Sequence, residues 1–187
     1  MPMPTEQPVR QTFWGIFSLQ GSTGTIIGLP LLVASDLTSL DFIRIVSLYW
    51  FITSFLAFAR AFIDRSAPAI WSILTGVVGM LPGIVMLGYT SSVSPMSLTT
   101  VVIIIGILGS VMGLLEIIDG LNGRGFASTL VGLINILVGL LLLGVSTAPA
   151  PMLASSIAIG GLLLVQSATL LFYAFRIGVH QRKASTK

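Results

Sequence analysis

Six apolar stretches, each carrying at most two charged residues and each long enough to cross about 30 Å of hydrocarbon at ~20 residues apiece, dominate this chain. They run approximately over 12–34, 42–63, 69–89, 98–118, 126–145 and 152–175, and the separators are short. The β-branched run 101–105 favours a strand by propensity alone. A lone strand cannot satisfy its backbone in lipid, so every stretch is predicted to be a helix. Only 8% of the 187 residues are charged, against roughly 25% in an ordinary soluble domain. The expectation is therefore an all-α polytopic membrane protein: one membrane domain over 1–187 with six transmembrane helices.

Charge gives these helices a direction. Arg10, Arg60, Arg65, Arg124, Arg176, Arg182, Lys183 and Lys187 fall on one side of the alternating loops, and Arg44 alone falls on the other. The positive-inside bias places both termini in the cytoplasm, in the inner membrane of the cell. No compact basic patch with interleaved aromatics points to nucleic acid, so membrane lipids are the expected partners. The first apolar stretch follows a Pro-rich tail without a basic leader or a small-residue cleavage site, and is expected to be a retained helix.

A glycine pair seven residues apart occurs three times: Gly21 and Gly28, Gly76 and Gly83, Gly132 and Gly139. A shift of 55 superposes Gly21, Gly24 and Gly28 on Gly76, Gly79 and Gly83. A shift of 56 superposes Gly76, Gly83, Gly88 and Pro95 on Gly132, Gly139, Gly144 and Pro151. These shifts predict three tandem helical hairpin repeats, at about 12–63, 69–118 and 126–175, followed by a basic tail over 176–187. Each copy then faces the same way, unlike the inverted repeats of many transporters. Seven residues are nearly two turns, so each pair shares a helix face, and small residues there let helix backbones approach closely in lipid. Gly109 and Gly113 make a tighter pair of the same kind. Packing within the hairpins is the simplest reading of these glycines; a glycine-lined permeation path is the functional alternative.

Few positions interrupt this apolar pattern. Pro30 lies near the exit of the first helix, and Pro82 lies near the middle of the third, where a missing N–H invites a bend or a hinge. Asn135 and Gln166 sit deep in the fifth and sixth helices, with Gln20, Thr23 and Thr75 in the first and third. A buried amide needs a partner, and a bond between Asn135 and Gln166 is the expected form of this intramembrane network. A cleft that contacts solute, or an oligomer interface, are the alternatives.

The carboxylates are expected at helix edges. Glu116 and Asp119 share one face at the cytoplasmic end of the fourth helix, near Arg60 or Arg124, and read as a salt-bridged helix end. Asp36, Asp41 and Arg44 form a second charged cluster on the outer side. On this placement no ionisable residue occupies the membrane centre. Trp14, Trp50 and Trp71, with Tyr49, Tyr89 and Tyr173, are assigned mostly to interfacial belts.

Chemistry is sparse. Cysteine is absent and His180 is the one histidine, so no thiolate site or zinc site is expected, and no cofactor motif is present. The reading is non-enzymatic.

The three glycine-paired hairpins, the segment Arg65-Ser66-Ala67-Pro68-Ala69-Ile70-Trp71 before the second unit, and a final helix over 161–175 ending in Arg176 resemble the HdeD family of acid-resistance membrane proteins, small proteins built of short repeats. The resemblance spans about Trp14 to Arg176. It implies an inner-membrane protein linked to acid or general stress, with no catalytic residues to carry over. Two function classes follow. One is a non-enzymatic membrane protein supporting stress tolerance through lipid, a second copy of itself or a membrane partner protein. The other is a small-solute or ion transporter or channel with a polar path near Thr75, Asn135 and Gln166.

Overall fold

The computed structural model describes residues 6–33, 38–63, 69–89, 97–147 and 152–185. These form α1 (Glu6–Val33), α2 (Ser39–Ile63), α3 (Ala69–Gly88), α4 (Leu98–Asp119), a π-helical turn (Gly120–Arg124), α5 (Phe126–Thr147) and α6 (Met152–Ser185). No strand occurs among the described residues, and the run 101–105 is helical. Asp36, Arg65, Pro68, Pro95, Pro149, Pro151 and Lys187 lie outside the described residues, as do the side chains of Arg10, Trp14, Arg124, His180, Arg182 and Lys183.

Local chemistry starts two of the helices. The Asp41 N–H donates to Thr38 Oγ1 at 3.2 Å, and the Thr38 hydroxyl donates to Asp41 Oδ2 at 2.5 Å, which satisfies an otherwise unpaired donor in the first turn of α2. Ser97 does the same for α4, its oxygen accepting from the Thr100 N–H at 3.2 Å. Between α4 and α5 the chain turns within the π-helical segment, and Gly125 closes it with φ of +87°, a left-handed conformation that favours glycine. The Gly125 N–H donates to the Gly120 carbonyl at 3.0 Å.

Two boundaries differ from expectation, and α1 starts at Glu6, six residues before the predicted stretch. The tail predicted after Phe175 continues the helix, and α6 runs to Ser185. Hydropathy marks only where the apolar run stops, and the Arg, Gln, Lys and Ala beyond it are good helix formers.

Helices pack most extensively in three pairs, α4 with α5, α1 with α6, and α2 with α3. The glycines explain these pairs. Gly113 and Gly132 face each other, so that a Cβ on either would strike the other's carbonyl oxygen, and Gly106 and Gly139 oppose each other in the same way. On α3, Gly76 and Gly83 seat Phe58 and Phe51 of α2, and Gly79 seats Ser54. On α1, Gly21, Gly24 and Gly28 seat Leu171, Ser167 and Leu164 of α6. Each glycine-bearing face thus meets a helix outside its own expected hairpin, and α1 meets the last helix of the chain. Gly109 serves another purpose: it makes room for the indole of Trp50.

One core receives residues from all six helices, including Leu31, Phe42, Val46, Met86, Ile105, Met112, Val138, Leu142, Ile159 and Leu163. Trp50 and Tyr49 lie at its centre, completely buried. The assignment of these two to an interfacial belt is corrected: they stand midway along α2 and face inward. The outer surface carries Ile26, Phe55, Phe62, Leu87, Phe126, Phe172 and Phe175, all strongly exposed. A surface of that kind is costly in water and suits hydrocarbon.

A buried polar network as the candidate functional site

Inside this core a chain of hydrogen bonds joins α2, α5 and α4. The Trp50 Nε1–H donates to Asn135 Oδ1 at 3.0 Å, and Asn135 Nδ2 donates to Glu116 Oε2 at 2.6 Å. The order is forced, because an indole only donates and a carboxylate only accepts, so the Asn135 amide has one orientation that serves both. All three residues are at least 97% buried, since their exposures are 0%, 1% and 3%. Asn135 is the central residue of the apolar span Phe126–Gly144, and Trp50 is next to the centre of Leu40–Phe62.

A second group lies beside the first. Arg60 Nη2 approaches Asp119 Oδ2 at 3.7 Å, and Ser72 Oγ of α3 donates to the same oxygen at 3.0 Å. The Arg60 guanidinium also lies 5.5 Å from the ring centroid of Phe17 on α1, a cation–π distance. Glu116 and Asp119 stand three residues apart on α4, so the two groups share one face of that helix. A buried ion pair is strongly destabilising when broken by removal of one partner, and this one ties α2 to α4, with Ser72 adding α3.

Glu116 lies three residues before the end of α4, in its last turn, and Asp119 ends that helix in the ion pair with Arg60. Both carboxylates and Arg60 are buried within the bundle. One expectation is corrected here. Asn135 does not pair with Gln166, because its amide is taken by Trp50 and Glu116.

The other predicted polar residues are dispersed. Thr75 donates to the Trp71 carbonyl at 2.9 Å and Thr23 to the Leu19 carbonyl at 2.8 Å, so both hydroxyls are satisfied within their own helices. Gln20 is buried in α1. Pro82 is buried within an unbroken α3, and Pro30 is exposed on α1. Asp41 and Arg44 form a half-exposed ion pair at 3.9 Å, separate from the buried cluster. Sequence reasoning missed Trp50, Tyr49 and Ser72. The available signal was position, since a Trp in the middle of an apolar stretch cannot reach a headgroup.

The described residues contain no group of three or more His, Cys, Asp or Glu able to hold a metal ion. What the arrangement does chemically is bind helices through charge-assisted hydrogen bonds and hold one carboxylate in an apolar core.

Fold and site together define a multi-pass α-helical membrane protein with a buried polar network. Over residues 92–144 the chain is similar to a family described as a short repeat of unknown function (DUF308), a domain found in HdeD-like membrane proteins. The matched stretch takes in α4, the π turn and α5 as far as Gly144. Comparison with curated proteins and with solved structures returned no match.

Proposed function

We propose that this protein is a non-enzymatic scaffold of the inner membrane that supports acid or general stress tolerance, with both termini in the cytoplasm. The observation that carries the scaffold reading is the bonding of Asn135 to Trp50 on one side and Glu116 on the other. Polar groups committed to each other hold helices together; polar groups along a transport path stay available to solute. Thr75 is likewise closed onto its own helix, which leaves only Gln166 of the three residues expected along a path. The stress role draws on the HdeD resemblance and on the short-repeat similarity over 92–144. Three tandem repeats are proposed on the glycine spacing and on the matching use of the glycine faces of α1, α3 and α5. The partners proposed are lipids and a second copy or membrane partner protein, met by the exposed apolar surface.

Survival after acid challenge tests the role. Cells lacking the protein are expected to survive less well, and the wild-type chain to restore survival. The purified chain in sealed vesicles is expected to pass no ions or small solutes. Unimpaired survival of the deletion strain defeats the stress reading, while selective solute flux defeats the scaffold reading.

A further inference from the structure

The three tight helix pairs share one register. On α1, the contacts at Gly21, Gly24 and Gly28 advance by three and then four residues, while their α6 partners Leu171, Ser167 and Leu164 retreat by four and then three. The contacts of Gly76, Gly79 and Gly83 on α3 with Phe58, Ser54 and Phe51 of α2 follow the same steps. On α5, Gly132 and Gly139 meet Ile117 and Ser110 of α4, seven residues forward against seven back. Helices α1, α3 and α5 are therefore counterparts, as are α6, α2 and α4. By this register α1 is the second half of a repeat that α6 begins.

One of the three pairs is held differently. In α2–α3 and α4–α5 a short connection joins the partners, residues 64–68 in the first and the π turn with Gly125 in the second. No such connection joins α6 to α1, the last and first helices, and α1 is tied covalently to the bundle only through residues 34–38. The packing of this pair is also looser. A Cβ at Gly139 would lie 2.6 Å from the Gly106 carbonyl oxygen, whereas a Cβ at Gly28 would lie 3.2 Å from that of Gly160. Of the six spans, that of α1 buries the smallest share of its residues. A helix with few buried contacts and no closing loop belongs to the low-stability end of a structure, where local opening starts.

Phe17 gives the place of α1 a consequence. Its ring, 7% exposed, lies 5.5 Å from the Arg60 guanidinium and packs with Val131 of α5 and with Leu170 and Ala174 of α6. Arg60 in turn pairs with Asp119, which Ser72 holds. Phe17 thus covers this ion pair from the α1 side. Cover matters to such a pair, because charges attract far more strongly in a dry interior than in water.

We propose that α1 is a detachable lid: it lifts from α6 as a unit while α2–α3 and α4–α5 stay paired, and this takes Phe17 off Arg60 and opens the Arg60–Asp119 pair to water. The lid goes beyond the scaffold role, since a bundle can support a membrane with its first helix fixed or moving.

The experiment uses the full chain in lipid nanodiscs, whose lack of cysteine allows single thiol reporters. Ala174→Cys places a thiol beneath Phe17, and Ser128→Cys places one between α4 and α5, against the Glu116 carbonyl. Both residues are buried, and each is the third from the end of its span, so depth does not separate them. A water-soluble thiol reagent is expected to label Ala174→Cys about tenfold faster than Ser128→Cys, as local opening of α1 alone requires. Joining Lys187 to Met1 through a flexible linker gives α6 and α1 the peptide connection that the other pairs have. This closure is expected to slow labelling of Ala174→Cys about tenfold and to leave Ser128→Cys unchanged. Phe17→Ala in the closed chain is expected to restore fast labelling at Ala174→Cys, because it removes the cover with α1 in place. Thermal melting checks the fold of each variant. Equal labelling at the two positions in the open chain overturns the lid, since the bundle then opens as a whole or not at all. A rate at Ala174→Cys indifferent to closure of the chain overturns it as well.

Discussion

At the residue scale, Asn135 does the most with one side chain. Its amide serves a donor-only indole and an acceptor-only carboxylate, and no apolar residue of similar size does either. Asn135→Leu is expected to destabilise the protein by about 2 kcal/mol or more, because it leaves a buried N–H and a buried carboxylate without their partner. Ser72→Ala, which removes one hydrogen bond and leaves the Arg60–Asp119 pair in place, is expected to cost about 1 kcal/mol. Unfolding in mixed micelles compares the two variants, and equal losses would show that Asn135 is no more than an ordinary contact. That residues of this type are special was legible from the sequence, because amides and carboxylates are rare in apolar stretches. Their partners were not: Trp50 and Asn135 are separated by 85 positions, and nothing local to either names the other.

At the element scale, the glycines stand at close approaches between helices, yet the partner helix differs from the one hairpin spacing suggests. Spacing along one helix defines a face. It does not say which neighbour that face meets. The stretch similar to the short-repeat family, 92–144, coincides with the tightly packed α4–α5 pair rather than with either expected hairpin at 69–118 or 126–175. The crossing of α4 and α5 rests on Gly113 against Gly132. Gly113→Val is expected to force these helices apart and to lower the melting temperature sharply, since its Cβ would meet backbone that cannot move aside as a side chain can. Gly144→Ala, where a Cβ meets open space, is expected to be neutral or to stabilise α5 by up to about 1 kcal/mol through helix propensity. If the two variants melt alike, close approach at Gly113 is not what holds the pair.

At the scale of the whole molecule, the chain closes on itself, with the first helix packed on the last. A Cβ built at Gly24 would lie 3.5 Å from the Cβ of Ser167, within the range of a disulfide. The chain has no cysteine of its own, so Gly24→Cys with Ser167→Cys gives a clean test. Mild oxidation is expected to link α1 to α6 within one chain, seen as faster migration in a denaturing gel that reductant reverses. Failure to form this link, or its formation only between chains, would contradict the closure. The same cysteine-free background allows the topology to be read. A cysteine at Asn122 is expected to resist an impermeant thiol reagent added to intact cells, and one at Thr38 to react.

The sequence by itself determined that this chain is helical and built for a membrane. Long runs with almost no charge leave a backbone no other way to satisfy its hydrogen bonds in hydrocarbon, and that inference needs no neighbour. It also marked the glycine faces and the short set of polar residues among which the site is found. Only the tertiary structure decided that Glu116 is buried, which residues Asn135 binds, and that Trp50 and Tyr49 belong to the core. These depend on which helices adjoin and how far each extends, and both are set by side chains distant in sequence meeting in space. The local pattern of any one helix is compatible with several such neighbours, and the packing of all six selects among them.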